Sequence, residues 1–495
     1  MGNLASSISS PVKMLTRKRK HDDINSDSGS DESLDRLLMP KRKKLMTTTH
    51  YIYKALYQEG QNSDVTIIAL NKEWKLHKVY LCQSHYFASM FSGSWKESDQ
   101  EVITIEITDE NITIKALDLV FGSFYQDEII IEPLNVVSIL AAAVLFQLES
   151  LMTQATEIMR ETINVQTAVS YYYATSQYGY KDLHKSCFNW LLVNLLGALG
   201  DHPKYLREVN QELMIALLNS PDLFVMQTEF ATYCILKKWV FLIENENWTG
   251  SRDECSDGAH NFFLEHGDVS YLNSTDGKKY EDVFRALRLD HLINHHYDVE
   301  ILERDKIIPN EWLSNIYRHQ WFQMLRIDQG IDKGPTELPE DLFRKSCFRC
   351  GRVVLHDGYH LWRWTGFNFG LDLLVTYEKR LFKFKRNHRH DSVSQSSLSP
   401  TTKRHIAYRM TVASVDYEQR QTKLMTTTGI KHVLLGKNEE IQVLQLEEEA
   451  TFPLFISANF MVISPMDKSA DEKPTKTKIK TCGSSTQIPS FSHNC

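Results

Sequence analysis

The sequence predicts an α+β chain with a mixed α+β domain first, a helical middle and a mostly-β carboxyl-terminal domain, set between two disordered tails. Three observations carry this reading. β-branched runs alternate with helical patterns over residues 52–162, apolar residues recur near helical spacing over 163–305, and short strand-like runs crowd together beyond residue 362. At 495 residues with 42% apolar and 24% charged side chains, the chain is long and apolar enough for several cores. The net charge of −7 argues against general nucleic-acid binding, and no nucleic-acid partner is expected. Eight scattered cysteines do not make a secreted disulfide framework, so a reducing compartment is expected. The longest nearly apolar run, 136–148, is well short of the ~20 residues that span a bilayer.

Residues 1–48 are polar and poor in large apolar side chains, a composition that cannot offset the entropy of ordering. Residues 1–50 hold ten Lys and Arg against six Asp and Glu, a net of +4, which leaves −11 for the other 445 residues. Met1-Gly2-Asn3-Leu4-Ala5-Ser6 fits N-myristoylation at Gly2, where only a glycine leaves the terminal amine unobstructed. One myristoyl chain holds a membrane only marginally, and Arg17-Lys18-Arg19-Lys20 could add an electrostatic hold on an anionic membrane surface. That cluster and Lys41-Arg42-Lys43-Lys44 also match short nuclear-import sequences. The acid-embedded serines Ser26, Ser28, Ser30 and Ser33 lie between the two clusters, where phosphates would oppose their charge.

Residues 49–162 open with a strand, Asp64-Val65-Thr66-Ile67-Ile68-Ala69-Leu70, a turn at Asn71-Lys72, and a second strand to Leu76. A helix is expected over 77–91, a strand over 102–107, and helices over 111–125 and 134–162. The order Asp64-Val65, Leu76-His77-Lys78-Val79, Leu81, Ser84, Phe87, Met90-Phe91 and Phe124-Tyr125 resembles a BTB/POZ domain. That resemblance implies a homodimer formed through the early helices, with Asp64 and His77 as a polar pair buried near the interface. A satisfied core histidine is the ordinary alternative for His77. The resemblance also implies a cullin-3 site at Met90, Phe91, Trp95, Glu97 and Tyr125. In BTB proteins of that type the loop after this helix carries a large apolar residue, any residue, then Glu, and Trp95-Lys96-Glu97 has that form. A buried aromatic anchor is the kind of residue that dominates an interface.

Over 163–305, Ala168, Tyr172, Ala174 and Tyr178, then Leu183, Cys187, Trp190 and Leu191, then Leu213, Leu217, Leu218, Leu223 and Trp239 recur near helical spacing. Their order resembles the BACK region that follows BTB domains in Kelch-type adaptors. Residues 244–280, rich in Asn, Asp, Gly and Ser, are expected to form a long surface insertion.

Residues 306–465 lack the Gly-Gly pairs of Kelch repeats. The block Trp362-Arg363-Trp364-Thr365-Gly366-Phe367-Asn368-Phe369 and the runs 373–377, 381–385, 406–415, 433–435, 441–446 and 452–463 predict a β-sandwich or small barrel. Trp362, Trp364, Phe367 and Phe369 are the candidates for a client surface, although so many aromatics more often build a core. Residues 466–495 are again poor in apolar side chains and expected to be disordered.

No metal and no cofactor is expected. Cys347, Cys350, His356 and His360 are zinc-compatible types at the wrong spacing, and no phosphate-binding loop or nucleophile motif occurs. Blocks such as Cys350-Gly351-Arg352 extend the resemblance to BTB–BACK adaptors associated with the nuclear envelope and germ-cell formation. The implied function is a non-catalytic substrate receptor of a cullin-3 ubiquitin ligase that captures a protein client through its carboxyl-terminal domain. The alternative is a nuclear-envelope scaffold tethering a transcription factor or lamina component.

Overall fold

The computed structural model describes residues 47–92, 100–226, 228–266, 269–331, 334–366, 370–387, 400–416 and 421–464. An opening helical turn, Thr48–Tyr51, runs on into Ile52–Gln58. Strands β1 (Val65–Ala69) and β2 (Lys72–Leu76) pair antiparallel, Val65 opposite Leu76 and Ala69 opposite Lys72. Leu70 and Asn71 both take positive φ, 47° and 61°, the two-residue turn whose twist suits a hairpin. Strand β3 (Val102–Thr104) joins the other edge of β1 in parallel, and only these residues of the expected 102–107 run pair.

The helix expected over 77–91 is two pieces, Lys78–Leu81 and α1 (His85–Ser92). Ser84 divides them, its hydroxyl accepting from the Phe87 N–H at 3.3 Å while donating to the Phe146 carbonyl at 2.6 Å. Helix α2 (Ile114–Ser123) is capped by Thr113. The long helix expected over 134–162 breaks into α3 (Val136–Leu145) and α4 (Glu149–Glu161), with Gln147 at φ 54° between them. The core joins these pieces: Phe87 stacks on Phe146 at 5.2 Å, and Phe121 lies 5.3 Å from Phe146.

The helical middle contains α5 (Ala168–Gln177), α6 (Lys181–Asn194), α7 (Gln211–Asn219) and α8 (Phe230–Glu244). Residues 244–280 are not a surface insertion. They hold α9 (Arg252–Leu264), and Cys255, Ala259, Phe263, Tyr271, Leu272 and Tyr280 are buried in the same core as Trp239. A capping box between Ser251 and Glu254 starts α9 within that polar composition. Helices continue past residue 306, where the mostly-β part was expected to begin. They are α10 (His296–Asp305), α11 (Asn310–Asp328) and α12 (Glu340–Ser346), and Leu313 and Ile316 of α11 belong to the helical core. Among the described residues no helix is long and apolar enough to cross a membrane.

The remaining strands are β4 (Phe348–Val354), β5 (His360–Gly366), β6 (Leu371–Glu378), β7 (Leu381–Arg386), β8 (Lys403–Asp416), β9 (Gln421–Thr427), β10 (Lys431–Gly436), β11 (Glu440–Gln445) and β12 (Leu454–Ile463). One sheet runs β10-β8-β12-β4 with β9 also on β8; the other runs β11-β7-β6-β5. They face each other across one core, where Phe384 of the second sheet lies 5.4 Å from both Tyr408 and Phe460 of the first. The other face of the first sheet packs on the helices. Gly351 lies so close to them that a Cβ there would stand 2.7 Å from the Val225 carbonyl oxygen.

Candidate protein-interaction surfaces

Asp64 and His77 both meet the start of the short helix Lys78–Leu81, with no hydrogen bond between them among the described residues. Asp64 is exposed, and its Oδ1 accepts from the Lys78 N–H at 2.8 Å. His77 is 8% exposed and fully engaged: its backbone N–H donates to the Tyr125 hydroxyl at 2.9 Å, and Nε2 lies 2.9 Å from the Gln61 carbonyl. Within this chain it is a satisfied core histidine.

Tyr125 corrects its assignment as a surface contact. It is 2% exposed and stands among Tyr57 and Tyr80 at 5.3 and 4.6 Å. Burial, followed by the nearby Asp64 charge among other causes, raises its hydroxyl pKa, with the His77 N–H opposing. Tyr125 therefore positions the turn carrying His77 and offers no surface of its own. Tyr53 and Tyr57 close over Gly122, where an added Cβ would come within 3.1 Å of the Tyr57 ring.

Met90 and Phe91 are half-buried at the end of α1. Phe91 stacks on Phe87 at 6.0 Å and receives the Lys78 ammonium at 5.3 Å from its ring centre. Both are thus braced from beneath and presented at the point where the chain runs on to Trp95 and Glu97. Those two residues lie outside the described residues, as do Phe367, Phe369, Gly2, both basic clusters and the serines between them.

Trp362 and Trp364 are core. They sit two apart on β5, are 8% and 9% exposed, and pack in the sandwich against Phe382, Phe384 and Phe460. Strand alternation puts both on the buried face and Arg363 on the other, where it pairs with Asp372. Cys347 and Cys350 are buried thiols on β4 and its approach, whereas His356 is exposed in the loop that carries the chain from β4 of one sheet to β5 of the other. Among the described residues no three His, Cys, Asp or Glu side chains gather for a metal.

An ionic network ties the helices to the sandwich. Arg349 of β4 holds Glu229, just before α8, through Nε at 2.9 Å and Nη2 at 2.5 Å, and donates from Nη1 to the Leu218 carbonyl at 2.7 Å. Burial alone would raise the Glu229 pKa, but the Arg349 and Arg288 charges and their hydrogen bonds outweigh it and hold the carboxyl below its usual range. Arg288 donates to the Cys347 carbonyl at 3.1 Å and to Asn459 Oδ1 at 2.9 Å, while Asn459 Nδ2 donates to the Pro221 carbonyl at 2.7 Å. Arg409 of β8 pairs with Asp222 at the margin. Nothing in the sequence patterns flags this network, since its members lie 59 to 238 positions apart.

A BTB/POZ family model matches residues 53–163. Over 481 residues the chain is 41% identical to Protein germ cell-less of Drosophila melanogaster, covering 92% of this chain and 84% of that protein. It is 43% identical over 445 residues to the human Germ cell-less protein-like 1, covering 89% and 85%. The chain belongs to the germ cell-less family. A human Kelch repeat and BTB domain-containing protein 8 matches at 26% over only 39% of the chain. Germ cell-less likeness thus extends far past the BTB domain, across the junction built on Arg349 and Glu229 and through the sandwich.

Proposed function

We propose that this germ cell-less protein is a non-catalytic substrate receptor of a cullin-3 ubiquitin ligase. Its BTB domain forms a homodimer and holds cullin-3 beside α1, the helical middle sets a fixed spacing, and the carboxyl-terminal part captures a protein client. The observation that supports this best is the end of α1, where the braced Met90 and Phe91 lead directly into Trp95-Lys96-Glu97. Ubiquitin transfer then needs no side-chain chemistry from this chain; capture raises the local concentration of client lysines at the ligase. Myristoylation at Gly2 and import through 17–20 and 41–44 are the proposed routes to membrane, nucleus and nuclear envelope. Germ-cell specification and spermatogenesis are the proposed setting, in keeping with the names of the relatives.

The test is a titration of the cullin-3 amino-terminal domain into the full chain and into the Trp95→Ala/Glu97→Ala form. Loss of the aromatic anchor is expected to cost ~2 kcal/mol or more of binding. Equal affinity for both forms, or no binding by the native chain, overturns the ligase reading. The two basic clusters favour, as second reading, a nuclear-envelope scaffold holding a transcription factor or lamina component.

A further inference from the structure

The junction network carries more positive charge than it pairs. Glu229, fully buried, faces two buried arginines, and Arg349 takes both of its carboxylate oxygens. Arg288 shares the field of that carboxylate, but its only hydrogen bond to it is from the backbone N–H at 3.2 Å, not from the guanidinium. Its guanidinium otherwise meets neutral groups, and its Nη2 is buried without a hydrogen-bond partner. Burial, with Arg349 beside it, lowers the Arg288 pKa to about 10, and the nearby Cys347 and Glu229 oppose that only in part. A buried charge in that condition is costly unless something of opposite sign stands near.

Arg288 lines two adjoining clefts. The larger, about 590 Å³, lies between residues 285–291, α11 and the end of α12. The smaller, about 320 Å³, continues from it past Leu218 and Arg344. Arg285 is shared between them, stacked 4.0 Å from the Trp312 ring centre, and so is Lys345; Arg318 lines the larger cleft. Two of the cations are answered, Arg285 by Glu281 and Arg344 by Glu340. Arg318 and Lys345 are exposed and make no ion pair among the described residues. The carboxylates lining the clefts are Asp290, bound to His319 at 3.1 Å, and Asp282. The unanswered cations are therefore three, Arg288 beneath the wall and Arg318 and Lys345 at the mouth, against two carboxylates.

We propose that this cleft, at the junction of helices and sandwich, is the client site, and that it takes an extended anionic protein segment bearing carboxylates or phosphates. The proposal rests on the substrate-receptor reading and gives it a location. Arg288 acts as a fixed positive field behind a low-dielectric wall, while Arg318 and Lys345 contact the anion directly. Trp312 supplies an apolar surface for the segment's backbone and small side chains. The site replaces the aromatic block on β5, whose described tryptophans are buried.

The test uses the full chain without cullin and three fluorescent peptides of equal length and Gly/Ser spacing. One carries a run of glutamates, one a central phosphoserine, and one no charge. Either anionic peptide is expected to bind and the neutral one not to, and which of the two binds distinguishes carboxylate from phosphate recognition. Arg318→Glu/Lys345→Glu is expected to weaken binding at least about tenfold with unchanged thermal unfolding, because both side chains are exposed. Arg288→Met should weaken it too, but it also removes bonds to Cys347 and Asn459, so the exposed pair is decisive. Equal binding of the neutral peptide, no binding of either anionic one, or no effect of the double reversal overturns the proposal. The cullin titration is independent: a chain that binds cullin but not the peptides loses only the cleft, and the reverse loses only the ligase reading.

Discussion

Replacing Arg349 by methionine tests the junction most directly. The substitution keeps a long apolar stem but deletes both bonds to Glu229 and the bond to the Leu218 carbonyl. Removing one partner of a buried ion pair costs about 3–5 kcal/mol, because the other charge stays behind. An orphaned buried carbonyl adds about 1–3 kcal/mol, so a loss of at least ~4 kcal/mol is expected. The chain has several cores, so a single unfolding midpoint is a poor assay. Hydrogen exchange read separately on α8 and β4 is better, since both ends of the pair should lose protection together. The double variant Glu229→Leu/Arg349→Met provides the control. Buried pairs replaced by apolar residues often lose little, so it should recover most of the protection. A single variant costing under ~1 kcal/mol, or a double variant as damaged as the sum of its parts, would refute the assignment of Glu229 and Arg349 as the junction's bond.

Three further outcomes are expected. The Glu229 carboxyl lies below its unfolded value of ~4.3, so its stabilisation is complete above that pH and fades as pH falls through the folded value. The stability gap between the native chain and Glu229→Gln should therefore narrow on acidification, and a gap constant to the acid limit would contradict the pairing. Tyr125→Phe removes the acceptor for the His77 N–H and should cost roughly 1–3 kcal/mol of BTB stability, measured by exchange at His77 and Lys78. Ser251→Ala deletes the cap of α9 and should cost about 1 kcal/mol, seen as faster exchange in the first turn of that helix.

Where structure follows from neighbours in the chain, the sequence was readable. The β1–β2 hairpin is a β-branched run with a two-residue turn, and the runs at 373–377 and 381–385 lie inside β6 and β7. Helix breaks were missed because they depend on distant acceptors: Ser84 divides its helix while reaching the Phe146 carbonyl, 62 positions away. Residues 244–280 look like loop by composition, yet Cys255, Phe263, Tyr271 and Tyr280 reach the helical core one at a time. The signal that could have found α9 was local, the Ser251-x-x-Glu254 box. The tryptophans of β5 were similarly legible, since Trp362 and Trp364 alternate with Arg363 and alternation of that kind marks one buried face. The Arg349–Glu229 bond had no such sign, because its partners stand 120 residues apart.

The charge at this junction bears on function as well as stability. A receptor that works by holding a client at a set distance needs a stiff joint, and stiffness alone does not need ions. Well-packed apolar residues in place of Glu229, Arg288 and Arg349 would serve as well or better by about 1–4 kcal/mol. The Glu229–Arg349 pair could be explained as a device for fixing register between helix and sheet. Arg288 cannot, because it brings a second buried cation without a second carboxylate and leaves Nη2 unbonded. Glu229 offsets that charge only in part, and the cleft that Arg288 lines is where a further anion would find it. On the client-site proposal, Arg288 belongs to both the joint and the site, and an anion bound there would supply the charge that the joint itself leaves short.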